Sequence, residues 1–218
     1  HTVTARLSSN SVQNPNDTLN PAHNIGYQIG QVMKRFGIES NPAKIQERAF
    51  QLLDTVKLPR ASASRKPRLL SGGQKQLISI ARAFAGNPKT VISDKSVSAL
   101  DVSVVAAVIE LLIDIQRDYR TAILFISHDL SAIHHIADWV VMIYLGQIKE
   151  HSSNDGMFLP PYHPPTKALL SAVPIADPKV TKRRVFLEGN LQSPLNLPKG
   201  CPFSTRCPRS RGELCGEV

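Results

Sequence analysis

The sequence predicts an α/β protein built on a parallel β-sheet. Short apolar runs rich in β-branched residues alternate with segments of helical period; the runs cover 90–93, 121–126 and 140–144, and the helical segments cover 102–115 and 130–136. Such alternation is typical of a parallel sheet whose ligands bind at the carboxyl ends of the strands. Asp94 follows the first run and His128 follows the second. We therefore expect both side chains at one edge of the sheet.

A predominantly helical region precedes these strands. Helical periodicity with a polar side covers 25–36 and 43–53, and a basic, serine-rich connector covers 59–68. Residues 1–21 are predicted to be a loop, because Asn-Pro turn signals occur twice there. After about residue 154 the chain becomes rich in proline, with a short helix predicted at 166–173.

The stretch Leu70-Ser71-Gly72-Gly73-Gln74 predicts a loop that opens a helix. The helix has its apolar period at Leu77, Ile80, Ala81 and Phe84, and Gly86 is predicted to end it in a left-handed conformation. Ser71 offers a hydroxyl, and the two glycines let a ligand approach the amides at the positive end of the helix. Those features suit a terminal phosphate. Taken alone, they are equally typical of a Ser-capped helix with a Gly-Gly turn.

Further motifs follow in a fixed order. They are the strand ending at Asp94, then Ser98-Ala99-Leu100-Asp101, then a strand ending at Ser127-His128-Asp129. Together with Leu-Ser-Gly-Gly-Gln, this series resembles the ATP-binding cassette of ABC transporters. The resemblance implies a partial P-loop NTPase fold with a parallel sheet and a helical subdomain. On that basis we expect a cassette over 1–154, with its helical and signature region at about 22–88, and a C-terminal extension over 155–218.

The resemblance also implies roles for particular residues. Asp94 and Gln13 match the residues that hold Mg²⁺ beside ATP, and His128 matches the switch histidine at the γ-phosphate. Nucleotide contacts are expected from Leu70, Ser71, Gly72, Gly73, Gln74 and Asp101. In the family the signature loop acts in trans, on nucleotide held by a second cassette.

Two departures from the family pattern bear on catalysis. Lys95 stands where the family has a glutamate that polarises the attacking water, and an ammonium group has no acceptor lone pair for that work. No Gly-x-x-x-x-Gly-Lys-Ser/Thr phosphate loop occurs in the sequence, and we expect it upstream of residue 1 because it precedes the glutamine loop in the family. Whether this chain hydrolyses ATP is therefore left open.

Two stretches narrow the resemblance to importers of oligopeptides, dipeptides and nickel. Val12-Gln13-Asn14-Pro15 is similar to their glutamine loop, and the tail from His163 to Pro174 is similar to their C-terminal extension. This implies a peripheral subunit at the cytoplasmic face of a bacterial membrane, coupling ATP to transport. Its implied partners are a second cassette, transmembrane permease subunits and, indirectly, an extracytoplasmic peptide-binding protein.

The three cysteines lie together near the end of the sequence, at Cys201, Cys207 and Cys215. Some members of the resembled family hold an iron–sulfur cluster with four cysteines in this tail. A cubane cluster normally takes four thiolates, and only three are present here. An iron–sulfur or metal site and free thiols are both kept as interpretations.

The net charge of +9 is unevenly distributed, with eight basic and no acidic residues over 57–93. The run is typical either of a solvated face or of a surface that attracts polyphosphate. A soluble ABC protein acting on nucleic acid or ribosomes is one alternative function, but aromatic interleaving is sparse and no nucleic acid is expected. A catalytically degenerate cassette with a structural or regulatory role is another, favoured by Lys95.

The Lys95→Glu substitution in the complete protein tests whether this position limits hydrolysis. We expect ATP turnover to rise, because a general base contributes on the order of 10²–10⁴-fold in rate. Steady-state phosphate release measures the effect, and Lys89→Glu is a control for the same change of charge. Unchanged turnover in Lys95→Glu contradicts the hypothesis.

Overall fold

The computed structural model describes residues 8–11, 18–94, 102–173, 185, 187 and 199–217. Gln13, Lys95 and Asp101, which the sequence singles out, lie outside these residues. The chain divides into two compact units, His1–Ala132 and Ile133–Val218, which are described separately. The division falls within one helix, Leu130–Ile136.

The first unit combines a three-stranded sheet with helices. Its strands are β1 (Ser8–Ser11), β2 (Thr90–Asp94) and β3 (Ala122–Ile126), and its helices are α1 (Ile25–Arg35), α2 (Pro42–Thr55), α3 (Gly72–Phe84) and α4 (Val102–Tyr119). Two short 3₁₀ helices, Arg60–Ser64 and Pro67–Leu69, connect α2 to α3. The boundary helix Leu130–Ile136 is α5.

The sheet is parallel, with strand order β1-β2-β3, and this confirms the predicted fold class. Its second strand pairs in register with the third, so that Thr90 faces Ala122 and Asp94 faces Ile126. The prediction of a loop over 1–21 was wrong at β1, whose sequence Ser-Ser-Asn-Ser carries no apolar pattern. The strand exists because β2 supplies a parallel partner to its backbone.

Helices α1 and α2 begin at side-chain caps that the sequence analysis did not single out. Asn24 accepts a hydrogen bond from the Tyr27 amide at 2.8 Å, and Asn41 accepts one from the Ala43 amide at 2.9 Å. Both helices bury an apolar face and pack against each other. The packing is tight at Gly30, where an added Cβ would lie 2.7 Å from Cγ2 of Ile45.

The signature helix α3 is more deeply buried than its predicted stripe. Ile80, Ala81 and Phe84 are buried as expected, but Ile78, outside the stripe, is fully buried as well. The predicted left-handed residue at its end was wrong by one position, because Asn87 and not Gly86 has positive φ, at 46°. Asparagine tolerates this conformation better than other residues with a Cβ.

The second unit is organised on an antiparallel hairpin. Its elements are β4 (Trp139–Tyr144), β5 (Gln147–Ser153), α6 (Asn154–Met157), α7 (Pro164–Ala172), the 3₁₀ helix Ser204–Arg206 and α8 (Leu214–Glu217). Leu145 and Gly146 connect the strands with φ of 48° and 75°, as in the type I′ turns favoured by tight hairpins. Phe203 anchors the cysteine-rich segment, since it is 1% exposed and lies edge-on to Tyr144 with ring centroids 5.1 Å apart.

Several helix bounds differ slightly from the predictions. Helix α4 continues to Tyr119, and α7 begins at Pro164, where proline suits the first turn. Among the described residues, no helix combines the length and the apolar character needed to cross a membrane.

The Gly30→Ala substitution tests the close packing of α1 on α2. We expect a loss of about 1–3 kcal/mol in the free energy of unfolding, because the new methyl group overlaps Ile45. Gly73→Ala is the control, since its Cβ would meet Val104 at an ordinary 3.5 Å. Denaturant titrations measure both variants. Ile45→Ala removes the group that the new methyl would overlap, so Gly30→Ala should cost less free energy of unfolding in that background. An equal cost in both backgrounds contradicts the overlap with Ile45.

Candidate functional site

The amino end of α3 has a fully formed capping box. The Ser71 hydroxyl accepts a hydrogen bond from the Gln74 amide at 3.3 Å, and the Gln74 side chain accepts one from the Ser71 amide at 3.1 Å. A Cβ built on Gly72 meets nothing within 4 Å. The box therefore fixes the start of the helix and leaves its backbone open to an approaching group.

This open helix end has the chemistry of an anion site. The first amides of a helix have no partner in a preceding turn, and the helix dipole favours negative charge there. Ser71 and Gly72 are exposed, and Leu70 is buried just before them. The structure thus places Ser71 and Gly72 on an accessible helix end, with Leu70 buried just before it and Gln74 in the capping box.

Asp94 and His128 lie at the carboxyl ends of neighbouring strands. Asp94 ends β2 opposite Ile126, the last residue of β3, and His128 follows two residues later. Asp94 is half-buried, whereas His128 is exposed. The structure therefore brings them to the same edge of the sheet, as the strand pattern predicts.

The run Ser127-His128-Asp129 is used locally for helix capping. Asp129 Oδ1 accepts hydrogen bonds from the amides of Ser131 and Ala132 at the start of α5, at 2.9 and 3.2 Å. Ser127 Oγ accepts one from the Asp129 amide at 3.0 Å. The aspartate is thus aimed at the helix backbone, which gives this run no catalytic-triad arrangement.

Arg82 joins the signature helix to the segment that precedes α1, a contact that the sequence analysis missed. Its guanidinium donates a hydrogen bond to the Thr18 carbonyl at 2.6 Å, and burial lowers the pKa of Arg82. Gln28 also binds this segment, and its side-chain amide donates to the carbonyls of Asn20 and His23 at 3.0 Å each. Local periodicity gives no signal for contacts across so many residues.

A cavity of about 530 Å³ opens between α1, α2 and the 3₁₀ helix Arg60–Ser64. Its lining is largely apolar and includes Ile45, Ala49 and Phe50, with Tyr27 48% exposed among the lining residues. Lys34 adds a positive charge to the lining. This combination suits an amphipathic segment with an apolar face.

The three cysteines of the tail are free thiols. Each is partly exposed, and a cubane cluster normally takes four thiolates. Within the part of the chain that the structure describes, no three histidine, cysteine or acidic side chains are grouped closely enough to hold a metal ion. The interpretation as a metal site gains no support from this arrangement.

Glu150 explains the start of α7. Its carboxylate Oε2 accepts hydrogen bonds from the His163 amide at 3.2 Å and from the Thr166 hydroxyl. His163 also contacts Phe203, and burial lowers the pKa of His163 more than the nearby Glu150 carboxylate raises it. The His-Pro-Pro-Thr sequence therefore has a structural role, because its contacts with Glu150 hold the start of α7 within the second unit.

Comparisons with known families match both parts of the chain. Residues 4–98 match the family model described as ABC transporter, and residues 150–215 match the model described as the oligopeptide/dipeptide transporter C-terminal region. The chain belongs to the ABC transporter family of ATP-binding proteins. The second match confirms the predicted likeness to the branch that carries the oligopeptide-type tail.

Curated relatives agree with this assignment. A probable peptide ABC transporter ATP-binding protein of Sinorhizobium fredii is 44% identical over 94% of this chain and 58% of its own length. The dipeptide transport ATP-binding protein DppF of Escherichia coli K12 is 43% identical over 92% of this chain and 60% of its own length. The chain thus spans about three fifths of the relatives it matches.

Solved structures support the fold. The ATP-binding cassette MJ0796, a dimer in a post-hydrolysis state with ADP and phosphate, aligns with a TM-score of 0.62 at 21% identity, covering 70% of this chain and 65% of that one. The cbiO1 protein of Clostridium perfringens, part of the transporter complex cbiONQ, aligns with a TM-score of 0.63 at 19% identity, covering 71% and 60%. The ABC cassette is therefore the fold of this chain.

Proposed function

We propose that this chain forms part of the ATP-binding subunit of a peptide importer, coupling ATP binding and hydrolysis to transport. The observation that most supports this proposal is the open, capped amino end of α3, where the signature sequence is accessible to an anion. The names of the curated relatives, which are peptide and dipeptide transport ATP-binding proteins, support peptide as the substrate class. Nickel remains the alternative substrate within this branch.

The signature end of α3 completes a nucleotide site that is shared with a second cassette. Its amides and the Ser71 hydroxyl contact the γ-phosphate of ATP held by the opposite subunit. In this composite site the phosphate loop belongs to the second cassette, which holds the nucleotide. ATP then holds the two cassettes together, and hydrolysis releases them.

A second set of residues acts at the carboxyl edge of the sheet. Asp94 would supply one carboxylate to Mg²⁺, which is commonly bound by one or two carboxylates together with phosphate oxygens and water. His128 is exposed at the same edge and contacts the γ-phosphate. Gln13 is assigned to Mg²⁺ contact, Lys95 to the position of the general base and Asp101 to contact with the second subunit. These three assignments rest on the sequence motifs alone.

The cavity beside α1 is the surface that we assign to the permease. An amphipathic helix of a transmembrane subunit would place its apolar face against Ile45, Ala49 and Phe50 and an acidic residue near Lys34. The chain would then sit peripherally on the cytoplasmic face of the membrane. Arg82 and Gln28 tie the segment before α1 to α3 and α1, so that movement at this surface reaches the signature end.

Lys95 favours a second candidate function, a cassette that binds nucleotide and serves a structural or regulatory role. The two candidates differ in what the complete subunit does with ATP. Turnover that requires this chain's own signature residues supports the importer ATPase, whereas nucleotide-dependent assembly without turnover supports the silent cassette.

The Ser71→Asp substitution tests the phosphate role of the signature end separately from helix capping. Aspartate caps a helix as well as serine does, so the free energy of unfolding stays nearly unchanged. The added carboxylate repels a phosphate, and we expect ATP turnover of the assembled transporter to fall by about 10²-fold or more, as for the loss of a transition-state donor. Asn41→Asp makes a matched change at the cap of α2 and leaves turnover intact. Equal turnover in the two variants contradicts the proposal.

The Tyr27→Glu substitution tests the permease surface. Tyr27 is 48% exposed, so the substitution leaves folding intact while it places a charge among the residues lining the apolar cavity. We expect at least about a tenfold loss of affinity for permease in detergent, since a desolvated charge costs several kcal/mol. Gln51→Glu on the exposed side of α2 is the control. Unaltered assembly of Tyr27→Glu removes this cavity from the interface.

A further inference from the structure

The cavity beside α1 has only positive charge on its lining. Two charged residues line it, Lys34 on α1 and Arg60 at the start of the 3₁₀ helix that follows α2, and none of the described lining residues is acidic. The sequence analysis placed Arg60 in a basic connector and gave it no role of its own. A group that enters the cavity therefore meets two cations and no carboxylate on its wall.

Asp54 and Phe50 hold the Arg60 guanidinium in one position. Its Nε lies 2.9 Å and its Nη2 2.7 Å from Oδ2 of Asp54, and Nε also lies 3.2 Å from Oδ1. The guanidinium carbon stands over the ring of Phe50, 5.8 Å from the ring centroid. An arginine that is forked to a carboxylate and stacked on an aromatic ring has already lost much of its side-chain freedom. A further contact through this group therefore costs little additional entropy.

One side of the guanidinium remains available. Asp54 occupies the side formed by Nε and Nη2, whereas Nη1 has no hydrogen-bond partner in the part of the chain that the structure describes. The Arg60 side chain is 61% exposed and belongs to the cavity lining, so a group in the cavity has access to it. Arginine has five N–H donors in a planar fork, which allows it to bridge two carboxylates. The second carboxylate would come from the group in the cavity.

Lys34 and Arg60 lie towards opposite ends of the cavity. Gly30 of α1 faces Ile45 of α2; Lys34 follows Gly30 by four residues, and Phe50, beneath Arg60, follows Ile45 by five. Consecutive packed helices with a short connection run antiparallel, so these two steps point in opposite directions. At about 1.5 Å per residue, the two ends lie about 13 Å apart. A cavity with a cation at each end can fix the register of a helix that lies along it.

We propose that Arg60 is the specificity-determining residue of this cavity and binds the carboxylate of an aspartate or glutamate on the docking helix of the permease. The inference rests on the proposed function, which assigns the cavity to that amphipathic helix. The apolar face of the helix covers Ile45 and Ala49, one acidic residue lies near Lys34, and a second reaches Nη1 of Arg60. A helix without the second acidic residue removes water from the guanidinium and supplies no acceptor, so it binds more weakly.

Lysine does not replace Arg60 in this role. An ammonium group is a point charge without a fork, so it cannot bind Asp54 on one side, lie flat on Phe50 and present a second fixed donor to the cavity. We therefore expect Arg60→Lys to keep the charge of the cavity and to lose part of the affinity for the permease. This variant separates the geometry of the contact from its charge.

The test uses the complete subunit and its permease, purified separately in detergent, and measures the dissociation constant of their complex. We expect Arg60→Glu to raise this constant about tenfold, because the new carboxylate repels the acidic residue of the docking helix. Arg60→Gln, which adds no repulsion beside Asp54, should raise it to a smaller extent. Arg65→Glu is the matched control, since Arg65 is exposed close to Arg60 but does not line the cavity.

Charge exchange identifies the partner residue. Each acidic residue in the cytoplasmic helices of the permease is changed to lysine, one at a time, and every permease variant is tested against Arg60→Glu. We expect one of them to restore the affinity that Arg60→Glu has lost. The proposal is overturned if Arg60→Glu and Arg60→Gln bind as the unchanged subunit does, if Arg65→Glu loses as much affinity, or if no permease variant restores binding.

Tyr27→Glu distinguishes failure of this inference from failure of the proposed function. If Tyr27→Glu weakens binding and Arg60→Glu does not, the cavity remains the permease surface and only the role of Arg60 is rejected. If neither substitution weakens binding, the assignment of the cavity to the permease is rejected as well.

Discussion

The burial of helix α3 is the constraint on which the first unit depends. This helix packs against α1, α2 and β1, and it buries residues on nearly every side. A helix so enclosed still has unpaired amides at its first turn. Ser71 and Gln74 satisfy part of this need between themselves, so the helix end needs no covering element. Deep packing and an open, charged end are thus combined in one helix.

Arg82 relates this packing to the proposed mechanism. A guanidinium group loses hydration when it is buried, and the Thr18 carbonyl replaces part of that hydration. The contact fixes the segment that follows the glutamine loop in sequence to the body of α3. A displacement of that segment therefore acts on the signature helix through a short, partly buried hydrogen bond, without need of a flexible linker.

The basic run over 57–93 divides into residues with different partners. Arg60 forms a two-pronged contact with Asp54, at 2.9 Å from Nε and 2.7 Å from Nη2, and this hydrogen-bonded contact lowers the pKa of Asp54. Arg82 is bound to a carbonyl, whereas Lys66 and Arg68 are exposed before the signature sequence. The run is therefore mixed in role, which weakens its interpretation as one continuous nucleic-acid surface.

The sequence by itself determined the motifs and the elements that carry them. Apolar β-branched runs specify β2, β3 and β4, and the order of the motifs specifies the family, because both depend on residues close together in the chain. Only the tertiary structure decided that Ser8–Ser11 is a strand, that Arg82 binds the Thr18 carbonyl, and that the Cys201 amide binds the Cys215 carbonyl. These features depend on partners far away in sequence, and local periodicity and spacing contain no information about such partners.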